Sequence, residues 1–118
     1  MTDNQQQSPA DNRTTVCINY HVTAEQNHVE ISYNNSTNGM NHEEATGEWD
    51  KTILMPIGSF AYITAQNQGY DRTCVSVSIN CNGREMQRSE SKGAYAIATA
   101  SARCYTGFER QHFDHDRT

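Results

Sequence analysis

The sequence predicts an all-β domain, an immunoglobulin-like two-sheet antiparallel sandwich of about seven strands. Three observations predict it: apolar residues recur with a period of two in several short runs, turn-forming residues separate those runs at intervals of about ten residues, and an Asn-Gly pair stands between two of them. Residues 14–105 carry this pattern. Residues 1–13, polar and without periodicity, read as a disordered lead-in, and residues 106–118 as a polar tail.

The first strand is expected from Thr14 through the run TVCINYHVT, where Val16, Ile18, Tyr20 and Val22 share one face. Glu25-Gln26-Asn27 reads as a turn, and HVEISYNN after it repeats the alternation with Val29, Ile31 and Tyr33, so the two runs predict a hairpin. The polar stretch 34–47 reads as a connection rich in turn formers. Its sequons at Asn34 and Asn35, like the one at Asn12, read as chance matches in an Asn-rich chain. A strand follows over residues 48–55, and Pro56, which has no ladder donor, ends it or confines it to an edge. The run SFAYITAQ has two fairly apolar faces and is expected to be more central.

The plainest signal is the stretch from Thr73 to Tyr95. Val75, Val77, Ile79 and Cys81 alternate with polar residues, and Asn82-Gly83 accepts the positive φ values of a type I′ turn. A two-residue turn sets Cys81 opposite Arg84, Ile79 opposite Met86, Val77 opposite Arg88 and Val75 opposite Glu90. The return arm, with Met86 as its one apolar residue, is expected to be short, exposed and at a sheet edge. The last strand is placed over residues 94–105, with alanines on one face and Tyr95, Ile97 and Thr99 on the other.

Composition narrows the function classes. The chain has 118 residues, a hydrophobic fraction of 35% and a net charge of −5, with its nine Lys and Arg scattered, so nucleic acid is not an expected partner. No run of apolar residues is long enough to span a membrane as a helix, and the first residues lack the basic and apolar regions of an export signal. Two compartments stay open: an extracytoplasmic one, periplasmic, surface or secreted, and the cytoplasm.

Four cysteines, Cys17, Cys74, Cys81 and Cys104, show no zinc-finger spacing and fit two disulfides better than a metal site. If the last three strands form a meander, Cys81 and Cys104 finish at the same end; Cys17 and Cys74 share outward parity. The expected pairs are therefore Cys81 with Cys104 and Cys17 with Cys74. No nucleophile elbow, zinc-protease helix motif or phosphate loop occurs, so no enzyme, cofactor or metal is expected. His112, Asp114, His115 and Asp116 are the nearest approach to a metal set, but they stand in the tail. His42, Glu43 and Glu44, and the pair Glu48 and Asp50, read as solvated polar groups. Trp49, Tyr70 and Tyr105, placed at strand ends or loops, are the candidate partner-binding aromatics, with capping of the open core as their alternative role.

The runs TVCINYHVT, VEISYNN, ILMPIGSFAYITAQNQ, VSVSINCNGRE and SKGAYAIATA, in that order, resemble the small extracytoplasmic domain of the mycobacterial membrane proteins called MmpS, and related β-sandwich domains of bacterial lipoproteins. The likeness covers residues 14–104. It implies a β-sandwich that acts as an interaction module; family members assist lipid or siderophore export by large transporters, anchored beside them. Met55-Pro56-Ile57 lacks the family's corner tryptophan, and Asn82 replaces its hairpin aspartate. Val77 and Ala100 stand where family cysteines are expected, with Cys81 and Cys104 displaced, and the family's transmembrane anchor is absent from these 118 residues. The expected function is a non-enzymatic protein-binding or accessory domain, monomeric or weakly oligomeric, at a bacterial envelope or extracellular surface. A small acidic intracellular inhibitor or accessory factor that engages a basic protein is the alternative.

Overall fold

The computed structural model describes residues 15–69 and 73–105, and these form an antiparallel all-β fold. Six strands occur among them: β1 (Thr15–Asn34), β2 (Met40–Pro56), β3 (Phe60–Asn67), β4 (Cys74–Cys81), β5 (Arg84–Lys92) and β6 (Ile97–Arg103). The sheet runs β5-β4-β1-β3-β6, with β2 paired to the other edge of β1. Its end strands β5 and β6 come into contact, so the sheet curls toward closure.

The expected hairpin at Glu25-Gln26-Asn27 is instead a bulge within one twenty-residue strand. Four residues of β1, Ala24 to Asn27, lie opposite the single residue Gly47 of β2. The insertion reverses parity. Val16, Ile18, Tyr20, Val22 and Ala24 face the core before it, and Val29, Ile31 and Tyr33 after it. This is why two alternating runs of opposite parity can belong to one strand. Glu25 takes a φ of 53° and Gly47 a φ of 83°; a Cβ on Gly47 would stand 3.0 Å from the Glu25 carbonyl oxygen.

The bend folds β1 and β2 over together. Tyr20 and Tyr33 meet with ring centroids 5.4 Å apart, and the Tyr20 hydroxyl donates to the Asn34 carbonyl at 3.1 Å and accepts from the Tyr62 N–H at 3.3 Å. Beyond the bend, β1 pairs with β3 from Val29 to Tyr33; before it, β1 pairs with β4 from Ile18 to Thr23. The core lies between the folded halves and takes one face of β1, β3, β4 and β6. Burial raises the pKa of Tyr20 to about 12, because the phenolate would lose its water there.

Several expectations change. β2 begins at Met40, inside the stretch read as a connection, because a strand that borders solvent on one edge needs few core residues to pair. β5 is nine residues long rather than short, although it is exposed and ends the sheet. Asn82 and Gly83 have φ of 51° and 85°, as a type I′ turn requires, and Cys81 does pair with Arg84. The register then slips at Met86, so that Ile79 meets Gln87, Val77 meets Ser89 and Val75 meets Ser91. The slip turns Ser89 and Ser91 inward and leaves Arg88 and Glu90 in water. β6 pairs with β3 and not with β5, so the last three strands are no meander.

Cys81 and Cys104 nevertheless form a disulfide, with Cα atoms 5.8 Å apart. Cys17 and Cys74 are both free. Asn82 exchanges hydrogen bonds with Cys17, which puts Cys17 beside the last residue of β4, whereas Cys74 is its first; a strand of that length separates them by roughly 20 Å, beyond any bridge.

Two buried asparagines tie the ends of the fold. Asn67 accepts from the Gly69 N–H and from Asn27 Nδ2, both at 2.9 Å, and donates to the Gly93 carbonyl at 3.3 Å. Asn34 donates its Nδ2 to the Phe60 carbonyl at 2.9 Å. The next residue, Asn35, organises the turn between β1 and β2: its Oδ1 accepts from the N–H groups of Thr37 and Gly39 and from the Thr37 hydroxyl. Both sequon asparagines are thereby given structural work in the turn region.

Candidate interaction surface

The turn that joins β2 to β3 brings two exposed aromatic rings, Phe60 and Tyr105, together with Arg103 at one end of the fold. Pro56 accepts from the Ser59 N–H at 3.1 Å, and Gly58 takes the positive φ of 84°. The backbone of Cys104 grips this turn from both sides: the Gly58 N–H donates to its carbonyl at 2.7 Å, and its own N–H donates to the Ser59 carbonyl at 3.1 Å. The disulfide to Cys81 anchors that grip to β4. Tyr105 follows at once, with its ring beside Gly58.

Arg103 and Phe60 are partners in the β3–β6 register. The Arg103 guanidinium carbon lies 5.5 Å from the Phe60 ring centroid, and Nη1 donates to the Gly58 carbonyl at 3.0 Å. Phe60 is 42% exposed and Tyr105 44%, large values for aromatic side chains in so polar a chain. A cleft of about 340 Å³ opens beside them, lined among others by Asn35, Asn38, Pro56, Ser59, Phe60 and Arg103. Aromatic and arginine side chains held rigidly around a concavity are the groups that dominate binding energy at protein interfaces.

Of the three aromatics expected to bind a partner, Tyr105 belongs to this surface and Tyr70 lies outside the described residues. Trp49 does something else. It is half-buried, stacks against Tyr33 with centroids 5.2 Å apart, and donates from Nε1 to Glu43 Oε1 at 3.1 Å. Phe60 and Arg103 were not singled out from the sequence. Their pairing joins strands far apart in the chain, and only the exposed parity of Phe60 in its strand could have marked it.

The polar clusters have partners of their own. Glu43 accepts from the Tyr33 hydroxyl at 2.5 Å, from Trp49 and from Lys51 Nζ at 3.1 Å. The Tyr33 hydrogen bond first, then those of Trp49 and Lys51, hold its carboxyl below the usual carboxylate range, and its bond in turn raises Lys51. His42 meets the Ser32 hydroxyl at 2.7 Å, and Glu44 lies 3.3 Å from His28. Glu48 and Asp50 flank the two ring nitrogens of His21 at 3.4 and 3.1 Å. Among the described residues, no three His, Cys, Asp or Glu side chains are disposed to hold a metal ion together. His112, Asp114, His115 and Asp116 lie outside the described residues. Among the described residues, no helix is long and apolar enough to cross a membrane. No family model matches the chain, and no curated protein matches it at a significant level.

Proposed function

We propose that this chain is a non-enzymatic protein-interaction domain whose contact surface is the end built from Phe60, Arg103 and Tyr105. The observation that carries the reading is that these three side chains are exposed around one turn, with Arg103 held by the Gly58 carbonyl and the Phe60 ring and the Tyr105 ring beside Gly58. Fixed side chains lose little entropy on binding, which favours a rigid anchor over a solvated surface.

The same reading takes the folded-over sheet as the two layers of an immunoglobulin-like sandwich. One layer holds β5, β4 and the first part of β1, the other holds β6, β3 and the last part, and the Cys81–Cys104 bond joins them. A disulfide favours an oxidising compartment, so an envelope or extracellular setting is part of the proposal, in line with the likeness to the MmpS domain. The alternative, a cytoplasmic accessory factor, requires this cysteine pair to be reduced in the cell.

Site-specific photo-crosslinking tests the proposal. A photoreactive residue in place of Tyr105, in cells of the source organism, is expected to give a discrete adduct that Arg103→Ala and Phe60→Ser each diminish while the protein keeps its melting temperature. Equal adducts from a probe on the opposite surface, at Glu90, overturn it.

A further inference from the structure

The second feature that lacks a partner is an edge. β2 pairs with β1 along its length, and among the described residues no strand pairs with its other side. The end strands β5 and β6 approach each other, which leaves β2 as the open border of the sheet. Its effect shows in burial. The inward residues of β6, also a terminal strand, include Ala98 and Ala100, both buried, whereas on β2 only Met55 is buried and Ala45, Trp49 and Ile53 remain half-exposed against the core. An apolar rim therefore faces an unpaired ladder of backbone N–H and C=O groups, the arrangement that accepts an added strand.

Charge decides which strand. The even-numbered residues of the second half of β2 point outward: Glu48, Asp50, Thr52 and Leu54 are exposed. Glu48 and Asp50 thus stand two residues apart on one face, with Glu44 further along the same face. A second copy of β2 laid parallel and in register, or antiparallel with Glu48 opposite Asp50, would bring like charges together, which opposes those pairings between copies. A strand with cations at alternate positions meets complementary charge instead.

We infer that the free edge of β2 from Glu48 to Leu54 binds an extended basic peptide segment of a protein partner as an additional β-strand. Main-chain hydrogen bonds supply the attachment, alternate Lys or Arg side chains lie beside Glu48 and Asp50, and the intervening apolar side chains cover Trp49 and Ile53. The site is separate from the Phe60–Arg103 surface and does not depend on it.

The probe is a short fluorescein-labelled peptide that alternates lysine and valine, compared with the same peptide N-methylated at alternate amides, which keeps the charge and removes the ladder donors. Fluorescence anisotropy is expected to show binding by the parent and none by the methylated peptide. Glu48→Lys combined with Asp50→Lys is expected to weaken the parent by about tenfold, while Arg103→Ala leaves it unchanged. Amide hydrogen exchange is expected to slow in β2 on adding the parent. The inference is overturned if the parent does not bind, if the methylated peptide binds as tightly as the parent, if protection falls outside β2, or if sedimentation shows a dimer in which the β2 amides are already protected. Thermal melts of the double variant establish that it is folded, and the comparison of the two peptides needs no variant.

Discussion

Lys51 Nζ stands 3.1 Å from Glu43 Oε2, although both residues belong to β2 and the strand between them, if straight, would hold them roughly 26 Å apart. The contact exists because β2 doubles over at Gly47, together with β1. Glu43 collects Tyr33, Trp49 and Lys51 at the open side of that fold, so one carboxylate fastens the two halves of the ribbon.

The first prediction follows from its charge. The carboxyl of Glu43 is held below its ordinary range, so its contribution is fully present above the unfolded value of about 4.3 and is lost as pH falls through the lower folded value. Thermal melts between pH 2 and pH 6, roughly the span bracketing these values, are expected to show a decline that Glu43→Gln makes shallower, together with a lower melting temperature for the variant at neutral pH.

Tyr20 gives the opposite sign. Its folded pKa of about 12 lies above the ordinary value of 10.0, so stability is complete below pH 10 and falls as pH rises toward 12. Absorbance of phenolate during alkaline titration is expected to show Tyr20 ionising late, near the unfolding transition. Tyr20→Phe removes that step and leaves the Asn34 carbonyl and the Tyr62 N–H without their partner, a cost of about 1–3 kcal/mol in urea denaturation.

Gly47 and Gly83 both have positive φ, 83° and 85°, but only Gly47 is crowded. Alanine at Gly83 is expected to cost about 1 kcal/mol, from backbone strain alone. Gly47→Ala adds a close approach to the Glu25 carbonyl at 3.0 Å and is expected to cost about 2 kcal/mol or more, measured by the same denaturation series.

Thiol titration of the native protein is expected to find the two free cysteines, Cys17 and Cys74, and four after reduction and unfolding. Cys104→Ser releases a closed loop with a sequence separation of 23, for which chain entropy predicts a loss of about 3 kcal/mol. The same variant is expected to loosen the turn at Gly58 and reduce the crosslinking yield at Tyr105.

What the sequence discloses depends on whether a residue's role is local. The Asn82-Gly83 turn was legible because the needed φ values belong to two adjacent residues, and the inward residues of β1, β3, β4 and β6 were legible from period two. The slip at Met86 was not, since it is set by which side chains of β5 reach the core across a pair of strands. The first part of β2 was hidden because NHEEATG offers the core only Ala45. The Cys81–Cys104 bond was anticipated through a meander that does not exist; the two residues meet because β6 joins β3 on the far side of the core. At the candidate surface, Tyr105 was readable from its place at a strand end, while Phe60 and Arg103 required the β3–β6 register.

β1 pairs with β2, β3 and β4, and β5 and β6 attach only through two of these. Its position at the start of the fold has a consequence for synthesis on the ribosome. The ribbon of β1 and β2 is a local hairpin and can close once Pro56 has emerged, but the opposite edge of β1 then waits unpaired for β3 and β4. The nascent chain must keep that edge from other polypeptides until Cys81, the last residue of β4, has left the exit tunnel.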